Sequence, residues 1–184
     1  MGRTLLNVRK ARPADADTIA RIYVDSWRDT YPLVLPARIL LGMTIEGQSA
    51  RWRSVISAGV REQVYVAVND FDEIVAMTSF GRARDRSLGF DAEVYTLYVD
   101  PPYAGIGFGR NLLMGAFSAL REKSHQSCII WSHAKNPARF FYEAMGGKLI
   151  AERTTAMMGT QVPELAYGWK TLALAEADRP KLSR

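Results

Sequence analysis

The segment Val99-Asp100-Pro101-Pro102-Tyr103-Ala104-Gly105-Ile106-Gly107-Phe108-Gly109-Arg110 constrains this chain more than any other. Two prolines remove backbone donors and fix φ, so the strand predicted at 91–99 must end at Asp100. Three glycines at alternate positions lead into a helical pattern at 107–123, with Leu112, Leu113, Ala116, Phe117 and Leu120 on one face. A short apolar strand follows at 127–132. A strand, a helix and a strand joined in this way form a crossover unit, so the two strands run parallel as neighbours. Glycines also let backbone N–H groups approach a ligand, and a helix N-terminus adds unpaired donors and positive dipole charge. The combination makes an anion cradle suited to a pyrophosphate.

Three phosphate-binding readings compete with a glycine-rich turn that binds nothing. A P-loop fails because no Gly-Lys-Ser/Thr follows. A dinucleotide fingerprint needs an early position and an acid closing the second strand, whereas that strand here ends Trp131-Ser132-His133. A coenzyme A pyrophosphate loop remains open. The rest of the chain supplies the setting. Residues 4–10 read as a first strand. Pro13, Asp15 and Asp17 open a helix whose Ile19, Ile22, Tyr23, Trp27 and Tyr31 recur at helical spacing until Pro32. A second helical region covers 36–41 and 45–58, broken at Gly42. Residues 63–68 and 73–82 flank the turn Asn69-Asp70-Phe71-Asp72 as a hairpin, and 91–99 is the third strand of that meander. A short helix at 136–145 and an antiparallel pair at 148–157 and 162–172 complete an α+β domain. Its sheet is mixed, mostly antiparallel and flanked by helices.

Composition narrows the classes. The 184 residues, with 48% hydrophobic and 23% charged, suffice for one domain with a core and exclude a disordered chain. No repeat or linker divides residues 1–184, and the polar tail from Glu176 is expected to fray. No apolar run approaches the roughly 18 residues of a membrane span. The start, Met1 to Val8, has no signal-peptide core, and the single Cys128 forms no intramolecular disulfide, so a cytoplasmic location is expected. The net charge of +5 favours anionic partners of any kind. No stacking strand, zinc motif or basic zipper accompanies that charge, which argues against nucleic acid. Two histidines are too few for most histidine-rich metal sites, and no metal is expected.

A second signal is Asn136-Pro137-Ala138-Arg139-Phe140-Phe141-Tyr142-Glu143-Ala144-Met145-Gly146-Gly147. Asn136 suits a helix cap, Pro137 the first turn and the glycines the end, so local structure alone explains them. Tyr142 is different in kind, being a hydroxyl donor able to protonate a leaving group or an aromatic that merely packs. The two segments, in this order around one apolar strand, resemble the GNAT superfamily of acyl-CoA-dependent N-acetyltransferases. Val24-Asp25-Ser26-Trp27-Arg28 and Pro163-Glu164-Leu165-Ala166-Tyr167-Gly168-Trp169 resemble a bacterial small-molecule branch of it.

The resemblance implies a twisted sheet splayed between the strands at 91–99 and 127–132. It implies direct attack of a small-molecule or peptide amine on acetyl-CoA in a ternary complex, with no covalent enzyme intermediate. By that analogy Leu97 and Val99 bond the pantetheine arm, Tyr98 lies beside the acetyl group, and Asn136 contacts the cofactor. Ala104, Gly105, Ile106, Gly107, Phe108, Gly109 and Arg110 form the pyrophosphate cradle, Ala104 standing where the family usually has Arg or Gln. That departure implies weaker binding and keeps a non-catalytic coenzyme A sensor as an alternative. Tyr142 is the implied general acid. An alkyl ammonium is almost wholly protonated at neutral pH, so a base is needed. Glu93, six residues before Val99, is the candidate, with a water chain as the other route. Simple alternation puts Glu93, Tyr95, Leu97 and Val99 on one face. Trp27 and Tyr31 are candidate acceptor contacts or core residues, and Arg82, Arg84 and Arg86 steer an anion or solubilise a loop. Dimerisation is common in the family, so a homodimer is a further expectation.

Overall fold

A computed structural model describes residues 7–32, 35–157 and 159–172. The tail from Glu176 and the predicted start of the first strand, residues 4–6, lie outside them. The chain runs β1 (Asn7–Lys10), α1 (Ala16–Thr30), α2 (Ala37–Gly42), α3 (Ile45–Ala58), β2 (Glu62–Val68), β3 (Ile74–Arg82), β4 (Ala92–Val99), α4 (Phe108–Glu122), β5 (Cys128–His133), α5 (Ala138–Ala144), β6 (Lys148–Met157) and β7 (Thr160–Trp169). These strands form one seven-stranded sheet in the order β1-β2-β3-β4-β5-β7-β6. Every pair is antiparallel except β4 with β5, the crossover pair that the glycine segment and α4 impose.

Helices cover the two faces of the sheet. The apolar stripe of α1, with Ile19 and Ile22, packs with Trp52 of α3 on Val64, Val66 and Met77. On the other face α4 sets Leu113, Phe117 and Leu120 against Phe80, Val94 and Ile130. Each such fully buried aliphatic or phenyl side chain is worth about 1.5–3 kcal/mol. Local signals place the helix ends. Thr44 Oγ1 accepts from the Gly47 amide at 3.1 Å to start α3, and Gly59 at φ 57° closes it. Among the described residues no helix is long and apolar enough to cross a membrane.

One irregularity decides what faces the site. The β3–β4 register shifts between Ser79, opposite Thr96, and Phe80, opposite Val94, leaving Tyr95 as the extra residue of a β-bulge. Val94, Leu97 and Val99 consequently pack toward α4, while Tyr98 packs toward α1 and α3. Glu93, next to Val94, faces the α1–α3 side. The simple alternation that put Glu93 with Leu97 and Val99 is corrected by this one residue.

Candidate active site

The parallel pair β4–β5 is short. Only Ala92, Glu93 and Val94 pair, with Cys128, Ile129 and Ile130, before the strands diverge. β4 continues to Val99 along β3, and β5 continues to His133 along β7. The facing edges of 95–99 and 131–133 therefore have no strand between them, and buried backbone donors and acceptors need partners. Here the sheet opens a cleft of about 860 Å³. Such an edge suits an extended, amide-bearing ligand that pairs as a strand would.

At the C-terminal end of β4 a single 3₁₀ turn, Pro101–Tyr103, leads to the glycines. Gly105 and Gly107 take φ values of 78° and 106°, a region that side chains disfavour, and Gly107 is the N-cap of the 15-residue α4. The Asn111 amide bonds the Gly107 carbonyl at 3.0 Å, so the amides of Phe108 and Gly109 that open the helix precede its ladder of intrahelical bonds. Phe108 is buried against Tyr103, which restricts any ligand contact to its backbone, whereas Ala104, Ile106 and Arg110 are exposed.

The cleft gathers Trp27 of α1 and Tyr31 at its C-terminal cap, Leu97 and Tyr98 of β4, Asn136, and Tyr142 of α5. Tyr142 is buried among Phe141, Tyr167 and Trp169, and no residue among those described hydrogen-bonds its hydroxyl. Burial pushes its phenol up, with the neighbouring Tyr31 adding to the shift, so Tyr142 holds its proton. Tyr98 is raised in the same way, and Tyr31 is raised by burial with partial relief from Asn136 and Tyr98. Asn136 Oδ1 accepts from the Ala138 amide at 2.9 Å, which fixes the side chain at the cleft edge. These phenols are donors at working pH and none is a base.

Glu93 sits differently from the other predicted site residues. It is 2% exposed and does not line the cleft. One oxygen accepts from the Arg84 amide at 3.0 Å, and the other from the Arg84 guanidinium through Nε at 3.0 Å and through Nη2. Arg84 thus occupies both carboxylate oxygens of Glu93. Val99 lies on the α4 face, packed near Phe108 and Leu112.

Three cleft residues escaped the sequence reading or were misjudged by it. Ser132 lies where β5 has left β4 and pairs only with Leu165 of β7, 6% exposed, with a buried hydroxyl that has no partner among the described residues. A buried orphan hydroxyl costs about 1–3 kcal/mol unless something binds it. His133 ends β5 with 5% exposure and stacks edge-on to Tyr31. Its Nδ1 accepts from the Lys135 amide at 3.0 Å, so the neutral ring carries its proton on Nε2. Burial, then Lys135, hold its pKa below the usual value, with Glu164 opposing. Glu164 pairs with His133 across β5 and β7 and lines the cleft, its Oε2 accepting from Arg153 Nε at 2.7 Å. Only its place two residues after Val162 in an alternating strand could have pointed it inward.

Comparison with known proteins agrees with this geometry. Residues 60–146 match the acetyltransferase (GNAT) domain family. The uncharacterized N-acetyltransferase YuaI of Bacillus subtilis is 30% identical over 169 residues, 92% of this chain and 95% of that one. Spermidine N(1)-acetyltransferase of Thermoplasma acidophilum is 23% identical over 145 residues, 78% and 89% of the two chains. The structure of yncA from Salmonella typhimurium with its cofactor acetyl-CoA superposes with a TM-score of 0.68 at 19% identity, covering 92% of this chain and 95% of that one. A parallel pair that opens over a glycine cradle, a family match centred on it and a relative spanning nearly the whole chain lead to one assignment: the chain belongs to the GNAT superfamily of N-acetyltransferases.

Proposed function

We propose that this acetyltransferase moves an acetyl group from acetyl-CoA to a primary amine of a small molecule or peptide by direct attack. The observation that carries the reading is the divergence of β4 from β5, with unpaired backbone edges, the Ser132 hydroxyl and Tyr142 around one cleft. The residues fit the co-substrate. The glycine turn and the first turn of α4 would hold the diphosphate, Leu97 and Val99 the pantetheine amides, and Asn136 the arm nearby. Ser132 offers a hydroxyl to the same slot. Acetyl-CoA supplies the activated acyl group.

The amine nitrogen forms its bond to the acetyl carbon as the carbon–sulfur bond breaks. The β4 edge near Tyr98 would donate to the carbonyl oxygen, and the Tyr142 phenol would give its proton to the departing thiolate. The surplus ammonium proton needs another exit. Both oxygens of Glu93 already accept from Arg84. We therefore assign Glu93 a place behind Arg84 and route the proton through cleft water toward Glu164. Trp27 and Tyr31 form the wall against which the acceptor rests. A panel of primary amines with acetyl-CoA, read by free thiol release, tests the reading. Acetyl transfer to at least one amine supports it, and tight acetyl-CoA binding without turnover on any amine leaves a coenzyme A-binding protein instead.

A further inference from the structure

We infer that the acceptor is a primary amine with an apolar body, which runs past Trp27 and Met157 into a second cavity and offers a hydrogen-bond donor to Gln48 there. This rests on the acetyltransferase reading and specifies its substrate class. The cavity lies where α1, α2 and α3 meet β6 and has a volume of about 500 Å³. That is the size of a small-molecule site, and like most such sites it is walled mainly by apolar groups.

The cavity and the active-site cleft lie on two sides of one wall. Trp27 and Met157 line both. Both pack on the apolar cluster of Leu35, Ile39, Leu40 and Val162, of which Leu35 and Val162 line the cleft and Ile39 lines the cavity. On the cleft side Trp27 stands 4.9 Å from Tyr31 and 5.7 Å from Tyr23 between ring centroids, and Tyr23 is 5.5 Å from Tyr98. The proposed function places the acetyl group beside that Tyr98. An amine attacking there leaves its substituent against Trp27. Met157, an unbranched thioether with three rotatable bonds, is the adaptable half of the wall.

The lining beyond the wall selects the substituent. Ile39, Gly42 and Met43 give it apolar or backbone surface, and a Cβ built on Gly42 would meet nothing within 4 Å. The Arg28 guanidinium donates to the Met43 carbonyl at 3.1 Å, which ties the α2–α3 turn to α1 on that side. Gln48 is different in kind. Its side-chain oxygen is buried and has no hydrogen-bond partner among the described residues. A buried acceptor left unpaired is destabilising, and a donor carried by the ligand would relieve it. Among the described lining residues Arg38 is the one charged side chain, and no carboxylate is present. A chain ending in a second ammonium would enter without a counter-charge. The expected acceptor therefore differs from spermidine, the substrate in the name of one relative.

The test compares ethylamine, n-hexylamine, 6-amino-1-hexanol and 1,6-diaminohexane as acceptors. Each methylene moved from water into an apolar site is worth roughly fourfold, so n-hexylamine should exceed ethylamine by about tenfold or more in kcat/KM. The terminal hydroxyl should add a fewfold to that, and the terminal ammonium should cancel it. Gly42→Phe places a ring in the empty space and should cut the hexylamine-to-ethylamine ratio about fivefold or more. Gly42 ends α2 without a positive φ, and a thermal melt checks folding. Gln48→Leu should abolish the advantage of the hydroxyl end over the methyl end. No gain with chain length, a gain indifferent to Gly42→Phe, a hydroxyl preference that survives Gln48→Leu, or 1,6-diaminohexane as the best acceptor overturns the inference. If no amine is acetylated, the acetyltransferase reading falls, and calorimetry with coenzyme A present decides the cavity. Tighter binding of 6-amino-1-hexanol than of ethanolamine, lost in Gly42→Phe, upholds it. Equal binding or none overturns it.

Discussion

The two ends of β4 are built by different means. At the C-terminal end a proline turn, two glycines at positive φ and the first turn of α4 make the cradle almost entirely from backbone. Toward the N-terminal end a bulge at Tyr95 meets side chains that other elements contribute to the cleft, among them Trp27 of α1, Tyr142 of α5 and Glu164 of β7. A backbone site depends on where glycine and proline stand in one short stretch. A side-chain site depends on register, rotamer and the meeting of distant segments. On the proposed function, the first end would hold the diphosphate and the second would meet the acceptor.

The sharpest break is at the centre, where the two ends meet. Tyr142→Phe should lower kcat by about 10² while leaving acetyl-CoA affinity nearly unchanged, because a lost general acid acts in the transition state. Steady-state kinetics beside a binding titration would check this, and an unaltered kcat would remove Tyr142 from the chemistry. Next in size is Gly107→Val. A β-branched residue at φ 106° carries a strain of about 1–3 kcal/mol, so the cradle should distort and acetyl-CoA should bind about tenfold more weakly or worse. Undiminished affinity would mean that the glycine turn is not where the diphosphate lies.

Two smaller effects refine the contrast. Ala104→Arg should tighten acetyl-CoA a fewfold by adding an exposed cation beside the cradle, without altering preference among acceptors. A change in acceptor preference would show that the two ends are not separable. His133 gives a pH signature. Its folded pKa lies below the ordinary 6.5, so as pH falls through that value the unfolded chain takes up the proton first and stability declines. The carboxyls of Asp15 and Asp91 are also held low and lose their contribution only at more acidic pH. Thermal melts from pH 7.5 to 5 should show a decline that His133→Gln lacks. A wild-type protein that gains stability over that window would contradict the buried neutral ring.

Legibility in the sequence follows the same division. Periodicity located the helices and the meander, and Pro101, Pro102 and the alternating glycines dictated the parallel pair and its cradle. Asn136 and Tyr142 stood in a recognisable helix and do line the cleft. Glu93 went astray because a one-residue bulge at Tyr95 leaves no mark in composition, yet it turns a strand over. Ser132 read as one polar residue in an apolar strand. Only the fold showed that it lines the cleft with a hydroxyl left without a partner among the described residues. The arginines at 82 and 84 were visible as charge, but the pairing of Arg84 with the buried Glu93 is a tertiary fact that no local pattern encodes.

Titration of the protein with acetyl-CoA by calorimetry, with adenosine 3′,5′-bisphosphate as the reference ligand, tests the central claim that the β4–β5 opening is a pantetheine slot. One-to-one, micromolar binding of acetyl-CoA, much tighter than the reference, is expected, because the reference lacks the arm that would pair with the open strand edges. Equal affinity for the two ligands, or no heat at millimolar acetyl-CoA, would contradict it.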